Sequence, residues 1–269
     1  MLSDAYLDHI GHKGPRAPTA ETLRALHRRH MLTVPFENLD IGLGRKIVLD
    51  PERFFDKIVG SGRGGFCYEL NGAFASLLTA LGFRVDLLSA RVANEQGTLS
   101  EEFDHLALRV EAEGSWLADV GFGDNFLGPL RFISGVEQKD SFADFRLTDS
   151  GGRWQLERRQ PGGSWRPVYD LSPQSRNLGE FADRCQYHQT SSKSHFTRNR
   201  ICSLAKPDGR ITLSDMKLII TSGGIRQEHV LKGEADWRAA LRDHFGVVLG
   251  LSIMEASCHL REVGSAFSR

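Results

Sequence analysis

The chain has 269 residues, 40% hydrophobic and 25% charged, enough to bury a real core in one large domain or two to three packed units. Its 34 Lys and Arg balance its 34 Asp and Glu, so net charge leaves no footprint for nucleic acid or an anionic membrane; a local basic excess lies around residues 184–210. MLSDAYLDHIGHKGP carries no basic-then-apolar leader and no apolar run approaches about 18 residues, so a cytoplasmic protein with no membrane span is expected.

In chain order the first third predicts helices. PTAETLRALHRRHM starts with Pro18 and Thr19 and spaces Leu23, Leu26 and Met31 along the run. DPERFFDKIV offers Asp50 as a cap before Pro51 at the first helical position. After Cys67, the apolar residues Leu70, Phe74, Leu77, Leu78 and Leu81 recur with a 3.6 period that Gly82 ends. From residue 84 the period changes to two. RVDLLSARV, DHLALRVEA, SWLADVGF, DFRLTD, RWQLERR and WRPVYDL predict an antiparallel sheet or small barrel. RICSLAKPDGRITLSDMKLIITS predicts a hairpin turning at Asp208-Gly209, and EADWRAALRDHFG a helix stopped by Gly246. Helices, then strands, then a mixed end make the fold class α+β.

Cys67, Cys185, Cys202 and Cys258 are far apart, and a chain this long needs no disulfide staples, so free thiols are expected. Cys185-x-x-His188 and His27-x-x-His30 each have half a metal-site spacing without a visible second half, so no metal is expected. Cys67 stands apart from the other thiols. It follows Gly62, Gly64 and Gly65, which allow close backbone approach, and opens a helix whose free N–H groups favour a thiolate or an oxyanion. Arg63 adds a positive charge. The same spacing suits a small buried residue packed at a helix start. A helix end contributes only about 0.3–1 kcal/mol, less than one pKa unit, so a reactive thiol needs a histidine partner held by a carboxylate.

FDHLALRVEAEGSWLADVGFGD supplies the pair. With Ala112-Glu113-Gly114 as a three-residue loop and Gly114 left-handed, Glu111 pairs with Ser115 and Ala107 faces Asp119. His105 is then the diagonal neighbour of Asp119, about 7–8 Å away along the backbone. A two-residue loop would put the two on opposite faces. Cys67, His105 and Asp119 are the expected catalytic triad, which should lower the thiol pKa far more than the helix end does.

RGGFCYELN, DHLALRV and WLADVGFGD, with VPFENLDI, SHFTRNRICSLAKPDGRITL and LRDHFGVVL, resemble the arylamine N-acetyltransferases of bacterial type over nearly the whole chain. The resemblance implies a helical bundle (1–83) with the nucleophile, an antiparallel β-barrel (84–190) with His and Asp, and an α/β lid (191–269), the first two forming a cysteine-protease-like core. It implies acetyl transfer from acetyl-CoA, through an acetyl-cysteine and in ping-pong order, to small aromatic amines or hydrazines, a chemistry of xenobiotic metabolism. Acetyl-CoA is then a substrate, with no permanently bound cofactor, and the protein a monomer or homodimer. The family's acceptor pocket matches Phe36, Phe122 and Phe196, and Gly123 is the matching CoA contact. The chain departs from many members in having Cys185 near an asparagine position and Ser192 near a proline position, and it lacks the long insertion between barrel and lid of eukaryotic members. A hydrolase or transglutaminase built on the same triad, and a non-catalytic CoA- or aromatic-binding module, are the rival readings.

Overall fold

The computed structural model describes residues 2–250, so Cys258 lies outside the described residues. The chain begins with α1 (Leu2–His9) and α2 (Ala20–Thr33). The Thr19 hydroxyl caps α2 by accepting the Thr22 N–H at 3.2 Å, and Leu23, Leu26 and Met31 are buried as the spacing predicts. His27 and His30 are buried beside them, which an apolar count does not foresee. A two-residue strand, β1 (Phe36–Glu37), leads into α3 (Leu39–Gly42). Next comes α4 (Pro51–Phe55), where the Asp50 carboxylate accepts the Glu52 N–H at 2.9 Å and a π-helical turn follows over Asp56–Gly60.

Helix α5 (Cys67–Ala80) is buried on nearly every face rather than along one stripe. It packs against α4 on one side and the barrel strands on the other, so Tyr68, Asn71 and Ala73 are enclosed along with Leu70, Phe74, Leu77 and Leu78. It ends where expected: Gly82 takes φ 90° and the Phe83 N–H closes on the Leu78 carbonyl at 3.0 Å.

Eight antiparallel strands follow: β2 (Arg84–Val92), β3 (His105–Glu111), β4 (Ser115–Ala118), β5 (Leu130–Arg131), β6 (Gln138–Lys139), β7 (Asp144–Ser150), β8 (Arg153–Arg159) and β9 (Arg166–Arg176). Their order β5-β4-β3-β2-β9-β8-β7-β6 curls into a nearly closed barrel. Its interior is packed with Leu88, Leu117, Phe145, Leu147, Leu156 and Leu171 from the strands and Phe126 from the β4–β5 connection.

The last third holds α6 (Ala182–Thr190), the short α7 (His195–Arg198), β10 (Ile201–Lys206), β11 (Gly209–Ser214), β12 (Lys217–Ser222), β13 (Ile225–Val230) and α8 (Glu234–Phe245). The predicted hairpin is corrected in detail. Lys206 pairs with Gly209, so the two-residue loop is Pro207-Asp208, and the segment continues into further strands. Helix α8 lays Trp237, Leu241 and Phe245 on Leu204, Leu213 and Leu218, and Gly246 stops it at φ 68°. The five-stranded sheet runs β1-β10-β11-β12-β13, so β1 of the N-terminal third crosses to pair Phe36 with Ser203. Among the described residues no helix is long and apolar enough to cross a membrane.

Candidate active site

The β3–β4 hairpin adopts the three-residue loop. Glu111 pairs with Ser115 and Gly114 is left-handed at φ 116°. Glu113 also takes positive φ, 52°, which sequence did not anticipate. The register therefore puts His105 and Asp119 on one face, and His105 Nε2 lies 2.9 Å from Asp119 Oδ2. With Nε2–H donated to the carboxylate, Nδ1 is the ring nitrogen left for a reacting proton.

Asp119 is wholly buried and saturated with donors. Tyr169 OH donates to Oδ2 at 3.0 Å and Asn125 Nδ2 at 3.3 Å, while Oδ1 accepts from Asn71 Nδ2 at 2.9 Å and the Gly121 N–H at 3.1 Å. Burial alone would push this carboxyl up. Attraction to His105 and the hydrogen bonds outweigh it and hold Asp119 below the ordinary carboxylate range. Asn71 sits one helical turn after Cys67, so the i, i+4 spacing was a readable signal. Tyr169, fifty residues away on β9, had no local signal.

Cys67 opens α5 and is buried, and it faces the same cavity as His105. The expected fall in its pKa is reversed. Burial pushes the thiol up, the Leu106 N–H bond opposes this, and the charges of Asp104 and Asp119 add to it. Cys67 in the free site is thus held toward its neutral thiol form. Arg63 does not serve the thiol either. Its guanidinium donates to Glu37 Oε1 at 2.6 Å and 3.0 Å and to Asp40 Oδ1 at 2.7 Å, in a buried cluster that Lys57 completes by binding Asp40 and Glu69 at 2.8 Å. Glu69 accepts the Phe66 N–H at 3.1 Å and so caps α5 from within, and burial pushes its carboxyl up to about 7.

Of the glycines before Cys67, Gly62 takes φ 60° with open space around it, whereas Gly64 and Gly65 allow the expected close approach, to neighbouring protein groups. A Cβ at Gly64 would lie 1.8 Å from the Pro35 carbonyl oxygen, and one at Gly65 would lie 2.7 Å from the Glu69 side chain. The close approach to Cys67 comes instead from Gly121, whose Cβ would sit 2.8 Å from the Cys67 Cα.

A cavity of about 1170 Å³ opens between the barrel and the five-stranded sheet, and Phe36, Cys67, His105, Phe122, Gly123 and Phe196 all line it. Phe122 stands edge-on to His105 with centroids 5.2 Å apart, and Phe36 and Phe196 lie 6.1 Å from each other. The segment Phe36-Glu37-Asn38 explains its own composition. Phe36 faces the cavity, Glu37 holds Arg63, and Asn38 Nδ2 donates to the Phe196 and Asn199 carbonyls at 3.0 and 2.7 Å, fixing the Phe196 turn. Arg210 of β11, not singled out from sequence, donates to the Gly123 carbonyl and lies 3.3 Å from Asp124.

Both half-motifs for metal find other partners, and among the described residues no group of three His, Cys, Asp or Glu could hold an ion. His30 Nδ1 meets Tyr6 OH at 3.0 Å. His188 faces Asp104 Oδ1 at 3.1 Å and Ser194 Oγ at 3.2 Å. Cys185 and Cys202 are free and buried, burial pushing Cys185 up to about 12.

The family model described as N-acetyltransferase matches residues 19–254. The arylamine N-acetyltransferase of Escherichia coli (strain K12) is 34% identical over 251 residues, 90% of this chain and 87% of that protein. The chain belongs to the arylamine N-acetyltransferase family. The solved enzyme from Salmonella typhimurium superimposes with a TM-score of 0.89 at 29% identity, over 99% of this chain and 98% of that one. The Mycobacterium marinum arylamine N-acetyltransferase, solved in complex with CoA, gives 0.84 at 31% identity over 91% and 92%. The protein is therefore an acyltransferase on the α+β, cysteine-protease-like fold of arylamine N-acetyltransferases, a thiol at a helix start set against a barrel that carries His and Asp.

Proposed function

We propose that the protein transfers an acetyl group from acetyl-CoA to the nitrogen of small aromatic amines or hydrazines, through an acetyl-cysteine at Cys67 and in ping-pong order. The observation that carries this is the 2.9 Å His105–Asp119 contact at the wall of the cavity that Cys67 also lines. His105 Nδ1 takes the thiol proton as Sγ attacks the thioester carbonyl, and backbone N–H groups at the start of α5 receive the oxyanion. The C–S bond to CoA breaks, the imidazolium protonates the leaving thiolate, and CoA departs as a thiol. The acceptor amine then attacks acetyl-Cys67, His105 takes the proton that the amine loses, and the Cys67 thiolate is released. An arylamine is largely unprotonated at neutral pH, unlike a lysine amine, and its ring fits between Phe36, Phe122 and Phe196. Gly123 is the proposed backbone contact for CoA, supported by its place on the cavity wall; that the M. marinum relative was solved in complex with CoA supports CoA as the donor.

Intact-mass analysis after acetyl-CoA addition is expected to show one acetyl group on wild-type protein and none on Cys67→Ala. Full transferase activity in Cys67→Ala, or preferential turnover of a peptide over an arylhydrazine, would overturn the reading.

A further inference from the structure

His27 entered as half of a metal spacing, and α2 instead buries it completely beneath the loop that links Asp119 to Leu127. Its Nδ1 lies 2.8 Å from the Leu127 carbonyl oxygen, which can only accept, so Nδ1 carries the hydrogen. Nε2 lies 3.1 Å from the Asp119 backbone nitrogen, which can only donate, so Nε2 presents a bare lone pair. The two contacts fix one neutral tautomer, and burial, which pushes this imidazole down, agrees with it. Phe126 stacks on the ring at 5.6 Å and 22°, and Phe74 of α5 meets it edge-on at 6.0 Å, so its rotation is fixed as well.

The loop so held is the one that matters to the reaction. Its first residue is the carboxylate that orients His105, its third is the glycine against the Cys67 backbone, and its fourth is Phe122, edge-on to the imidazole. His27 joins the first residue to the ninth, so a single ring ties both ends of the loop to α2. Asp140 Oδ2 supports the far end by accepting the Leu127 and Gly128 N–H groups at 3.0 and 3.2 Å. At the near end Asn71 Oδ1 accepts the Val120 N–H at 2.9 Å, and His27 takes the main-chain N–H of Asp119 itself, while the other donors grip the Asp119 carboxylate.

We propose that His27 is a positioning residue for acyl transfer, clasping the two ends of the Asp119–Leu127 loop so that Asp119 and Phe122 stay in register with His105. The inference rests on the Cys67–His105–Asp119 reading. An apolar ring of similar size leaves the Asp119 N–H buried and unpaired, and the main chain relaxes away from His105. A glutamine amide can both donate and accept, so it restores the clasp.

The test uses the full chain with His27→Phe, His27→Leu and His27→Gln. His27→Phe is expected to lower kcat about tenfold with the acetyl-CoA KM changed by less than about twofold, and to move the pH midpoint of Cys67 alkylation by iodoacetamide upward. His27→Gln is expected to recover most of both. In the wild type, ¹⁵N-histidine NMR is expected to show His27 as the neutral Nδ1–H tautomer. Three results would each overturn the proposal: a folded His27→Phe with wild-type kcat and alkylation profile; failure of both apolar variants to fold, which assigns His27 to folding alone; or an Nε2–H tautomer. If wild-type Cys67 takes up no acetyl group, the acyl-transfer reading falls instead, while the NMR arm still tests the clasp.

Discussion

Two imidazole–carboxylate pairs border one cavity, His105–Asp119 and His188–Asp104, with contacts of 2.9 and 3.1 Å. By distance alone they are equivalent, and Asp104 and His105 are even adjacent in sequence. Their surroundings differ. Apart from His105, the hydrogen-bond shell of Asp119 is made of neutral donors from α5, β9 and its own loop. Asp104 shares its charge between His188 and Arg184, which outweigh the upward push of burial and hold it well below the ordinary range. The other nitrogen of His188 meets Ser194 Oγ, a hydroxyl already capping α7 through the Phe196 N–H at 3.2 Å. A carboxylate held by neutral donors can answer a charge that appears on its imidazole during reaction, whereas one already neutralised by arginine cannot. On the proposed mechanism the first pair serves proton transfer, whereas the second ties α6 to the start of α7.

The comparison breaks most easily on kcat. Asp119→Asn is expected to reduce kcat by about 10³–10⁴, as loss of a triad carboxylate does, while Asp104→Asn stays within about tenfold of wild type. Similar losses in both would remove the distinction. Thiol alkylation sharpens it by sign. The Asp104 charge raises the Cys67 pKa, so Asp104→Asn should move the alkylation midpoint to lower pH, by less than about one unit. Asp119→Asn also removes a charge that raises the thiol, but it strips His105 of its orienting partner, and this larger loss should move the midpoint higher; a common direction would show the two carboxylates acting alike.

The smallest effect concerns stability and sets these carboxylates against Glu69. Asp104 and Asp119 are depressed by folding, so their contribution is present above about pH 4 and lost as pH falls. Glu69, raised to about 7 by burial, works with the opposite sign: its contribution is full below about pH 4.3 and lost as pH rises through 7. Glu69→Gln, which keeps an acceptor for the Phe66 N–H, should flatten the melting temperature between pH 4.5 and 7 by a few degrees. An unchanged slope would place the titration elsewhere.

Much of the site was legible because its signals are local. The 3.6 period after Cys67 and the Ala112-Glu113-Gly114 loop length were enough to set the nucleophile at a helix start and to pair His105 with Asp119. The readings that changed depended on neighbours distant in sequence. Arg63 looked like a charge for the thiol until Glu37 and Asp40 claimed it, and the neighbours that Gly64 and Gly65 approach, Pro35 and Glu69, had to be found in the fold. His27 was only half of a metal spacing in the sequence, and its partners Asp119 and Leu127 lie about a hundred residues away.

The sequence by itself determined the main helices and strands, the β3–β4 register and the family, because periodicity, turn length and contiguous motifs are properties of short stretches of chain. Only the tertiary structure decided which charges are spent. Whether Arg63, Asp104 or His27 acts on the thiol depends on the partner each meets across the fold, and burial makes that pairing decisive by charging a high cost to any group left without one.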